Sequence, residues 1–405
     1  MPEPGGAALR LCLIAGEHSG DALGARLMSA INAAWPSPVQ YSGVGGPLME
    51  AQGLVSQFPL SDVSVMGPVA ILKRLPRLIR RVHQAADAAL AAKPDAVVII
   101  DAPEFTHPIA KRIRRRRPEV PIVDYVSPSV WAWRPGRARR MRWYVDHVMA
   151  LLPFEPEVHA RLGGPNCTYV GHPLIERVAE WQAIDPDPLA RRLGLSREAP
   201  VLVVLPGSRR SEIERLMVPF GAAIERLMAQ GRRPQVIIPA VPHMRSVLDA
   251  QIHRWPLTPH IVETEADKIA AFKLATAALA ASGTVTLELA LAGTPMVVAY
   301  QVDRLSAQLQ FLIKAPHFAL ANIVLDERAF PEFIQVDCTP EKLAGSLIEV
   351  MEDDATRQRQ FAALARIADL MRLDHGTPSE AAARIVMDHA TAVRARHPIQ
   401  EKPAA

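Results

Sequence analysis

The turn in front of Arg209 contains residue types that could bind a phosphate. Pro206-Gly207-Ser208 follows Val201–Leu205, an uncharged run of valine and leucine. Such a run is typical of a strand covered on both faces, so the turn lies at the ligand-binding edge of a parallel sheet. A helix opening after Ser208 offers amide groups to an anion, and Arg209 can grip a phosphate in two places. Taken alone, an ordinary strand-to-helix turn with surface arginines accounts for the same residues equally well.

A second turn repeats this arrangement later in the chain. Ser282, Gly283 and Thr284 stand between an apolar stretch ending at Ala281 and a predicted helix. Their hydroxyl and amide groups suit a diphosphate. Glu288, one helical turn beyond Thr284, is a candidate acceptor for ribose hydroxyls, although a helix carboxylate is usually only solvated.

An acidic residue follows another apolar run, Ala96–Ile100. Asp101 is expected at the carboxyl edge of the sheet, which makes it a candidate general base. Capping of the next turn by the same carboxylate is the structural alternative. The residues themselves favour neither the catalytic nor the capping interpretation of Asp101.

The net charge of +4 hides a strongly basic segment. Residues 73–142 contain 17 Lys and Arg against 6 Asp and Glu, a net of +11, so the rest of the chain carries −7. Such a face predicts phosphate-bearing partners. Within residues 63–83 apolar and cationic side chains interleave as they do in helices of a membrane interface. The predicted membrane contacts are Val69, Leu72, Lys73, Arg77, Arg80 and Arg81.

The basic segment is also compatible with roles away from a membrane. Residues 63–83 could be a surface helix that packs its apolar side on the sheet, and Pro76 is expected to interrupt a helix there. Residues 127–144, SPSVWAWRPGRARRMRWY, interleave aromatic and arginine residues. That pattern fits a nucleic-acid groove as well as a lipid–water boundary.

Composition and periodicity indicate a globular α/β protein of more than one domain. The chain has 405 residues, 49% of them apolar, and no low-complexity tract. The three widely spaced cysteines, Cys12, Cys167 and Cys338, suggest a reducing compartment and no metal cage. The longest uncharged stretch, Leu274–Leu287, is too short and too interrupted to predict a membrane span.

Strand and helix patterns alternate through both halves of the chain. They predict two doubly wound parallel-sheet, Rossmann-like domains with a cleft between them. We place the domains at residues 1–183 and 189–370, with a proline-rich linker at 184–188 and a C-terminal helical segment at 371–405. Asp185-Pro186-Asp187 in the linker has the spacing of a metal-binding carboxylate pair, but we reject that interpretation because no strand adjoins it.

Ten sequence blocks in order resemble those of the lipid-A-disaccharide synthase family of GT-B glycosyltransferases. They are AGEHSGD (15–21), GVGGPLM (43–49), VMG (65–67), IDAPEF (100–105), YVSPSVWAWR (125–134), LPFE (152–155), VGHP (170–173), LPGSR (205–209), ASGTVTLE (281–288) and PMVVAY (295–300). The blocks are distributed over residues 15–300, which is most of the chain. YVSPSVWAW and LPGSR are long and unusual, which makes the resemblance specific.

The resemblance implies a reaction and a set of roles. A 2,3-diacylglucosamine unit passes from its UDP donor to the 6-hydroxyl of 2,3-diacylglucosamine 1-phosphate with inversion, without a metal or another cofactor. Asp101 is the expected base, with Glu17 and Ser19 as the reserve candidates. The expected acceptor-side residues are Glu17, Ser19, Ser127 and Trp131, and the expected UDP-binding residues are Gly207, Ser208, Arg209, Ser282, Gly283, Thr284, Glu288, Asn322 and Gln335.

The resemblance also implies where the protein works. We expect a cytoplasmic enzyme, peripheral on the cytoplasmic face of the inner membrane, that binds no nucleic acid; a homo-oligomer is compatible with the sequence. The family usually has Asp where this chain has Glu104, and often a small residue at His18, so Glu104 is kept off the catalytic list. The rival classes are another UDP-sugar enzyme, such as a UDP-N-acetylglucosamine 2-epimerase, and an RNA-binding protein using residues 111–144.

Overall fold

The computed structural model describes residues 8–64, 68–303 and 315–396, with the side chains of 68–73 and 396 left out of the description. The chain forms two compact units. Unit 1 comprises Met1–Pro173 and Leu373–Ala405, and unit 2 comprises Leu174–Arg372. The division therefore falls before the predicted linker at 184–188, which lies inside unit 2. There the amide of Asp187 donates to the carboxylate of Asp185 and starts a short helix.

Unit 1 is built on a seven-stranded parallel sheet with the order β3-β2-β1-β4-β5-β6-β7. Its strands are β1 Leu9–Ala15, β2 Val39–Val44, β3 Val55–Ser56, β4 Ala96–Ile100, β5 Ile122–Tyr125, β6 His147–Ala150 and β7 Asn166–Tyr169. β4 is completely buried, and β1 is buried at every position but Arg10, because helices cover both faces of the sheet.

Helices of unit 1 pack their apolar sides on this sheet. They are α1 His18–Ala34, α2 Pro47–Glu50, α3 Pro68–Ala92, α4 Pro103–Arg116, α5 Gly136–Met141, α6 Glu155–Arg161 and the C-terminal helix Pro378–Arg396. The C-terminal helix buries Ala382, Ala383, Val386 and Ala390 in the same apolar cluster as the α1 residues Leu27 and Ile31. The last helix of the chain is therefore part of the first unit's core.

Unit 2 contains a six-stranded parallel sheet with the order β10-β9-β8-β11-β12-β13. Its strands are β8 Val201–Leu205, β9 Gln235–Pro239, β10 His260–Val262, β11 Ala277–Ala281, β12 Met296–Tyr300 and β13 Glu332–Ile334. Its helices are α7 Ile175–Ala183, α8 Asp187–Leu193, α9 Arg210–Ala229, α10 Arg245–Ile252, α11 Glu265–Leu274, α12 Val285–Ala292, α13 Leu320–Leu325, α14 Pro340–Glu352 and α15 Asp354–Leu370.

One prediction about local structure is wrong. α3 continues through Pro76 instead of stopping there. The proline lies in the first half of the helix, while Val82, Ala85, Ala86 and Ala89 farther along pack into the unit 1 core. Tertiary packing of this kind outweighs the loss of one helical hydrogen bond. Among the described residues, no helix has the length and apolar character needed to cross a membrane.

Candidate active site

The carboxyl edge of the unit 2 sheet holds a cavity of about 490 Å³. The ends of β8 and β11, followed by the openings of α9 and α12, form much of its wall. The seven residues Gly207, Ser208, Arg209, Ser282, Gly283, Thr284 and Glu288, predicted from the two separate turns, all line it. The turns meet because β8 and β11 are neighbours in the sheet.

Arg209 is held in place by Glu212, the third residue of α9. The Arg209 Nη1 donates to Glu212 Oε1 at 2.8 Å, and the amides of Ser208 and Arg209 donate to Glu212 Oε2 at 3.2 and 3.3 Å. These two amides are therefore already occupied, and the turn is not the open anion-binding nest that its sequence predicts. The Arg209 side chain is nevertheless 56% exposed and lines the cavity.

Gly207 is needed to make this turn. Its φ is +107°, a left-handed conformation that favours glycine, and a Cβ placed there would come within 2.4 Å of Glu212 Oε2. The glycine thus lets the Glu212 carboxylate come close enough to cap the turn and fix Arg209.

The opening of α12 presents unoccupied donors. Among the described residues, no protein acceptor lies within hydrogen-bond geometry of the amides of Gly283, Thr284 and Val285, which precede or begin this helix. The Ser282 hydroxyl donates to the carbonyl of Phe318 at 2.7 Å, so its oxygen keeps only acceptor capacity toward the cavity. An anion at this edge would meet the amides and the positive end of α12.

Lys268 of α11 is a cavity residue that the sequence does not reveal. Its Nζ lies 3.0 Å from both Glu288 Oε2 and Glu265 Oε2, and all three residues line the cavity. In the sequence, a single lysine on a predicted helix is indistinguishable from an ordinary surface residue. Only the fold shows that α11 packs beside α12 and brings Lys268 to Glu288. The pair leaves the second oxygen of Glu288 as an acceptor for hydroxyl groups.

Asn322 and Gln335, the other expected donor-side residues, do not line this cavity. Asn322 is fully buried; its amide nitrogen donates to the Phe330 carbonyl and to Glu332, and its oxygen accepts from the Phe330 amide. Gln335 accepts from the amide of Val302 at 2.6 Å. Both side chains hold neighbouring backbone in place, and Asn322 has both amide hydrogens engaged within the protein.

Asp101 of unit 1 stands on a strained turn. Asp101 and Ala102 have φ values of +52° and +43°, two consecutive left-handed residues without a glycine, directly after β4. The turn is fixed by the Asp101 amide donating to the Tyr125 carbonyl and by the Thr106 hydroxyl donating to the Asp101 carbonyl at 2.7 Å. Strain of this kind is kept where surrounding contacts enforce it, often at functional positions.

Ser19 and Glu17 lie on the neighbouring β1–α1 turn. The Ser19 hydroxyl donates to Asp101 Oδ2 at 3.4 Å, and Glu17 is the residue before α1. The approach of the two turns requires Gly16, where a Cβ would come within 2.5 Å of the Ala102 Cβ. Ser19 and Asp101 thus form one polar cluster at the carboxyl edge of the unit 1 sheet.

Ser127 and Trp131 belong to a second polar cluster of unit 1, in which Ser127, Glu155 and His159 are buried and Trp131 is half-buried. Ser127 Oγ lies 2.9 Å from His159 Nε2, and Trp131 Nε1 donates to Glu155 Oε1 at 3.3 Å. Burial raises the pKa of Glu155 to about 7, although hydrogen bonds from Leu152 and Trp131 work in the opposite direction. The cluster ties the SPSVWAW and LPFE segments together.

The predicted membrane residues of α3 fall into three groups. The side chains of Val69, Leu72 and Lys73 lie outside the described part of the structure. Arg77 and Arg81 form ion pairs with the buried Asp62. Arg80 is exposed, next to Ile79, which is 49% exposed, and close along the helix to the similarly exposed Leu75.

Two parallel-sheet, Rossmann-like units in one chain are the architecture of the GT-B class of fold. The chain superposes with a TM-score of 0.60 on UDP-GlcNAc 2-epimerase from Neisseria meningitidis, solved bound to UDP-GlcNAc, covering 95% of this chain and 100% of that one at 11% identity. Identity this low shows the fold alone.

Sequence similarity is far more specific. Residues 11–386 match the model of the lipid-A-disaccharide synthetase family, and the chain belongs to that family. It is 52% identical to the lipid-A-disaccharide synthase of Rhodopseudomonas palustris strain HaA2 over 95% of this chain and 97% of the relative. The corresponding protein of Nitrobacter hamburgensis is 51% identical over 94% and 95%. The chain is thus a glycosyltransferase of lipid A disaccharide synthesis, which uses a UDP-sugar and a sugar phosphate.

Proposed function

We propose that the protein transfers 2,3-diacylglucosamine from UDP to the 6-hydroxyl of 2,3-diacylglucosamine 1-phosphate, with inversion and without a metal ion. The products are the β-1,6-linked disaccharide 1-phosphate and UDP. The observation that carries the proposal is the unit 2 cavity, which combines phosphate-binding and hydroxyl-binding groups at one sheet edge.

The proposed donor site has two ends. The diphosphate lies against Arg209 and the amides at the opening of α12, where fixed donors stabilise the charge that builds on the leaving UDP. The ribose hydroxyls donate to Glu288, which Lys268 holds in position at 3.0 Å. Because these groups are already oriented by Glu212 and Lys268, they need little rearrangement when the charge develops.

Asp101 is the proposed general base. Inversion in one displacement needs a single base on the acceptor hydroxyl and no covalent sugar intermediate. The carboxylate stands at the carboxyl edge of the unit 1 sheet, and its backbone is fixed on both sides. We assign acceptor binding to unit 1 and donor binding to unit 2.

Peripheral attachment to the cytoplasmic face of the inner membrane completes the proposal. Both proposed substrates carry acyl chains, so the enzyme must meet them at a lipid surface. Leu75 and Ile79 would enter the acyl boundary while Arg80 meets anionic headgroups. Arg77 and Arg81 then support the membrane face indirectly, since both are paired with Asp62.

A single assay tests the reaction against its rivals. Purified protein is incubated with both acylated sugars in the presence of excess EDTA, which removes free divalent ions, and released UDP is measured. We expect UDP release that needs both sugars. UDP-N-acetylglucosamine turning over alone would favour an epimerase, and salt-sensitive RNA binding without UDP release would favour the RNA-binding class.

A further inference from the structure

A second cavity, of about 390 Å³, lies in unit 1 where α4 faces α5 and the residues around it. Four cationic side chains line it, from Lys111, Arg134, Arg137 and Arg140. Glu104 contributes a carboxylate to the same wall. The proposed donor site, the proposed base and the membrane face make no use of this group of cations.

The positive charge of this cavity is only partly compensated. Glu104 forms an ion pair with Arg137 and lies 3.8 Å from an Arg134 nitrogen. Burial lowers the pKa of Lys111, and the charges of Arg137 and Arg140 lower it further. An anion placed among these cations would reduce the repulsion between their like charges.

Polar contacts connect the residues at the floor of the cavity. His107 Nδ1 lies 2.9 Å from the Tyr144 hydroxyl, and His107 Nε2 lies 3.2 Å from the buried Asp124. The ammonium of Lys111 sits 4.9 Å from the centre of the Tyr144 ring. These contacts place the lysine beside the floor of the cavity, together with the arginines that line it.

The cavity is also close to the proposed base along the chain. Pro103 and Glu104, which line it, begin α4 directly after the strained Asp101–Ala102 turn. The start of α4 thus joins the cavity wall to the turn that carries Asp101.

We propose that this cavity binds the phosphate monoester of the acceptor sugar through Lys111, Arg134, Arg137 and Arg140. The inference rests on the proposed function and names the subsite that recognises the acceptor. A phosphate monoester carries up to two negative charges, and arginine side chains match its oxygens in pairs. Glu104 would keep Arg137 oriented and limit the affinity for less charged groups.

The kinetic test compares acceptors with and without the 1-phosphate. In Lys111→Gln and Arg140→Gln we expect the KM for the phosphorylated acceptor to rise about tenfold or more, with kcat and UDP affinity little changed. The KM for the dephosphorylated acceptor should stay as in the wild type. Arg139→Gln is the matched control, because Arg139 is exposed on α5 and does not line the cavity. Equal effects on both acceptors would overturn the proposal.

A vesicle-binding experiment shows whether the ligand of the cavity is the acceptor phosphate or a phospholipid headgroup. Binding of the same variants to phosphatidylglycerol vesicles should equal that of the wild type. If the variants lost vesicle binding while their KM for the phosphorylated acceptor stayed unchanged, the cavity would serve headgroups and the proposal would be wrong.

A binding measurement keeps this inference distinct from the proposed reaction. Glucosamine 1-phosphate is titrated into the full chain by calorimetry, without donor. Saturable binding that is lost in Lys111→Gln and Arg140→Gln would support the cavity even if no UDP were released in the turnover assay. Binding that is equal in wild type and variants would reject the cavity even if turnover were normal.

Discussion

At the scale of single residues, Asp101 differs from an ordinary turn-capping acid in its backbone, which is left-handed together with that of Ala102. A carboxylate that merely capped the next turn would not need this conformation. The Ser19 hydroxyl donates to the carboxylate from the neighbouring turn and helps to orient it. We therefore favour the catalytic interpretation over the capping one.

Replacing Asp101 by Asn should remove the base and keep the shape of the side chain. We expect kcat to fall by about 10²–10⁴-fold, the usual contribution of general base catalysis, with the UDP dissociation constant unchanged. Steady-state kinetics and UDP titration measure the two effects. Ser19→Ala is the matched control and should cost far less. A near-wild-type kcat in Asp101→Asn would direct the search for the base to Glu17.

Glu155 makes stability depend on pH. Its folded-state pKa is raised to about 7 by burial, so the folded protein favours the protonated acid. The associated stability is complete below the ordinary pKa of a glutamate and is lost as the pH rises through about 7. Relative to Glu155→Gln, the wild type should lose roughly 2–3 kcal/mol of unfolding free energy between about pH 5 and pH 8.

Urea denaturation at several pH values measures this loss. Glu157→Gln, an exposed change on the same helix, is the matched control. A difference between wild type and Glu155→Gln that did not vary with pH would show that the Glu155 carboxyl titrates as an ordinary exposed acid does.

At the scale of elements, α3 combines two roles that its sequence does not separate. Arg77 and Arg81 form ion pairs with Asp62 of unit 1, and the Arg77 side chain is 55% exposed in its pair. Leu75, Ile79 and Arg80 are exposed as well. Every arginine of this helix looks alike in the sequence. Only the packing shows which of them form ion pairs with an acidic residue of the protein.

Charge reversal on α3 should therefore give two different phenotypes. Arg80→Glu should lower partitioning onto phosphatidylglycerol vesicles roughly tenfold or more, since each cation near an anionic surface contributes about 1 kcal/mol and the reversal acts twice. Arg81→Glu should mainly lower the unfolding free energy, because it faces Asp62. Vesicle sedimentation and thermal denaturation are the two measurements; equal vesicle binding of wild type and Arg80→Glu would contradict membrane contact through this face.

The elements that the sequence predicts best are the buried ones. β4 and β8 have the bounds that the sequence predicts, because unbroken apolar runs leave little choice. β2 is half polar and ends in what the sequence presents as a glycine turn, and β13 is a three-residue edge strand with a glutamate. Short or polar strands form because a neighbouring strand offers hydrogen bonds, and that neighbour is remote in the sequence.

At the scale of the whole molecule, the sequence predicts the α/β class and the two turns that line the unit 2 cavity, but not all the residues around them. Ser208 and Thr284 can be placed at sheet edges because each follows a buried strand. Lys268 cannot, since its approach to Glu288 depends on how α11 and α12 pack. Asn322 belongs to a buried network with Glu332, and its residue type alone does not distinguish structural from ligand hydrogen bonds.

The central claim is that the unit 2 cavity holds the diphosphate of UDP between Arg209 and the opening of α12. A crystal structure of the full chain with UDP tests it most directly. We predict phosphate oxygens within hydrogen-bond distance of Arg209 and of the Gly283–Val285 amides, with the ribose at Glu288. Well-defined UDP density away from Arg209 and Thr284 would contradict the claim.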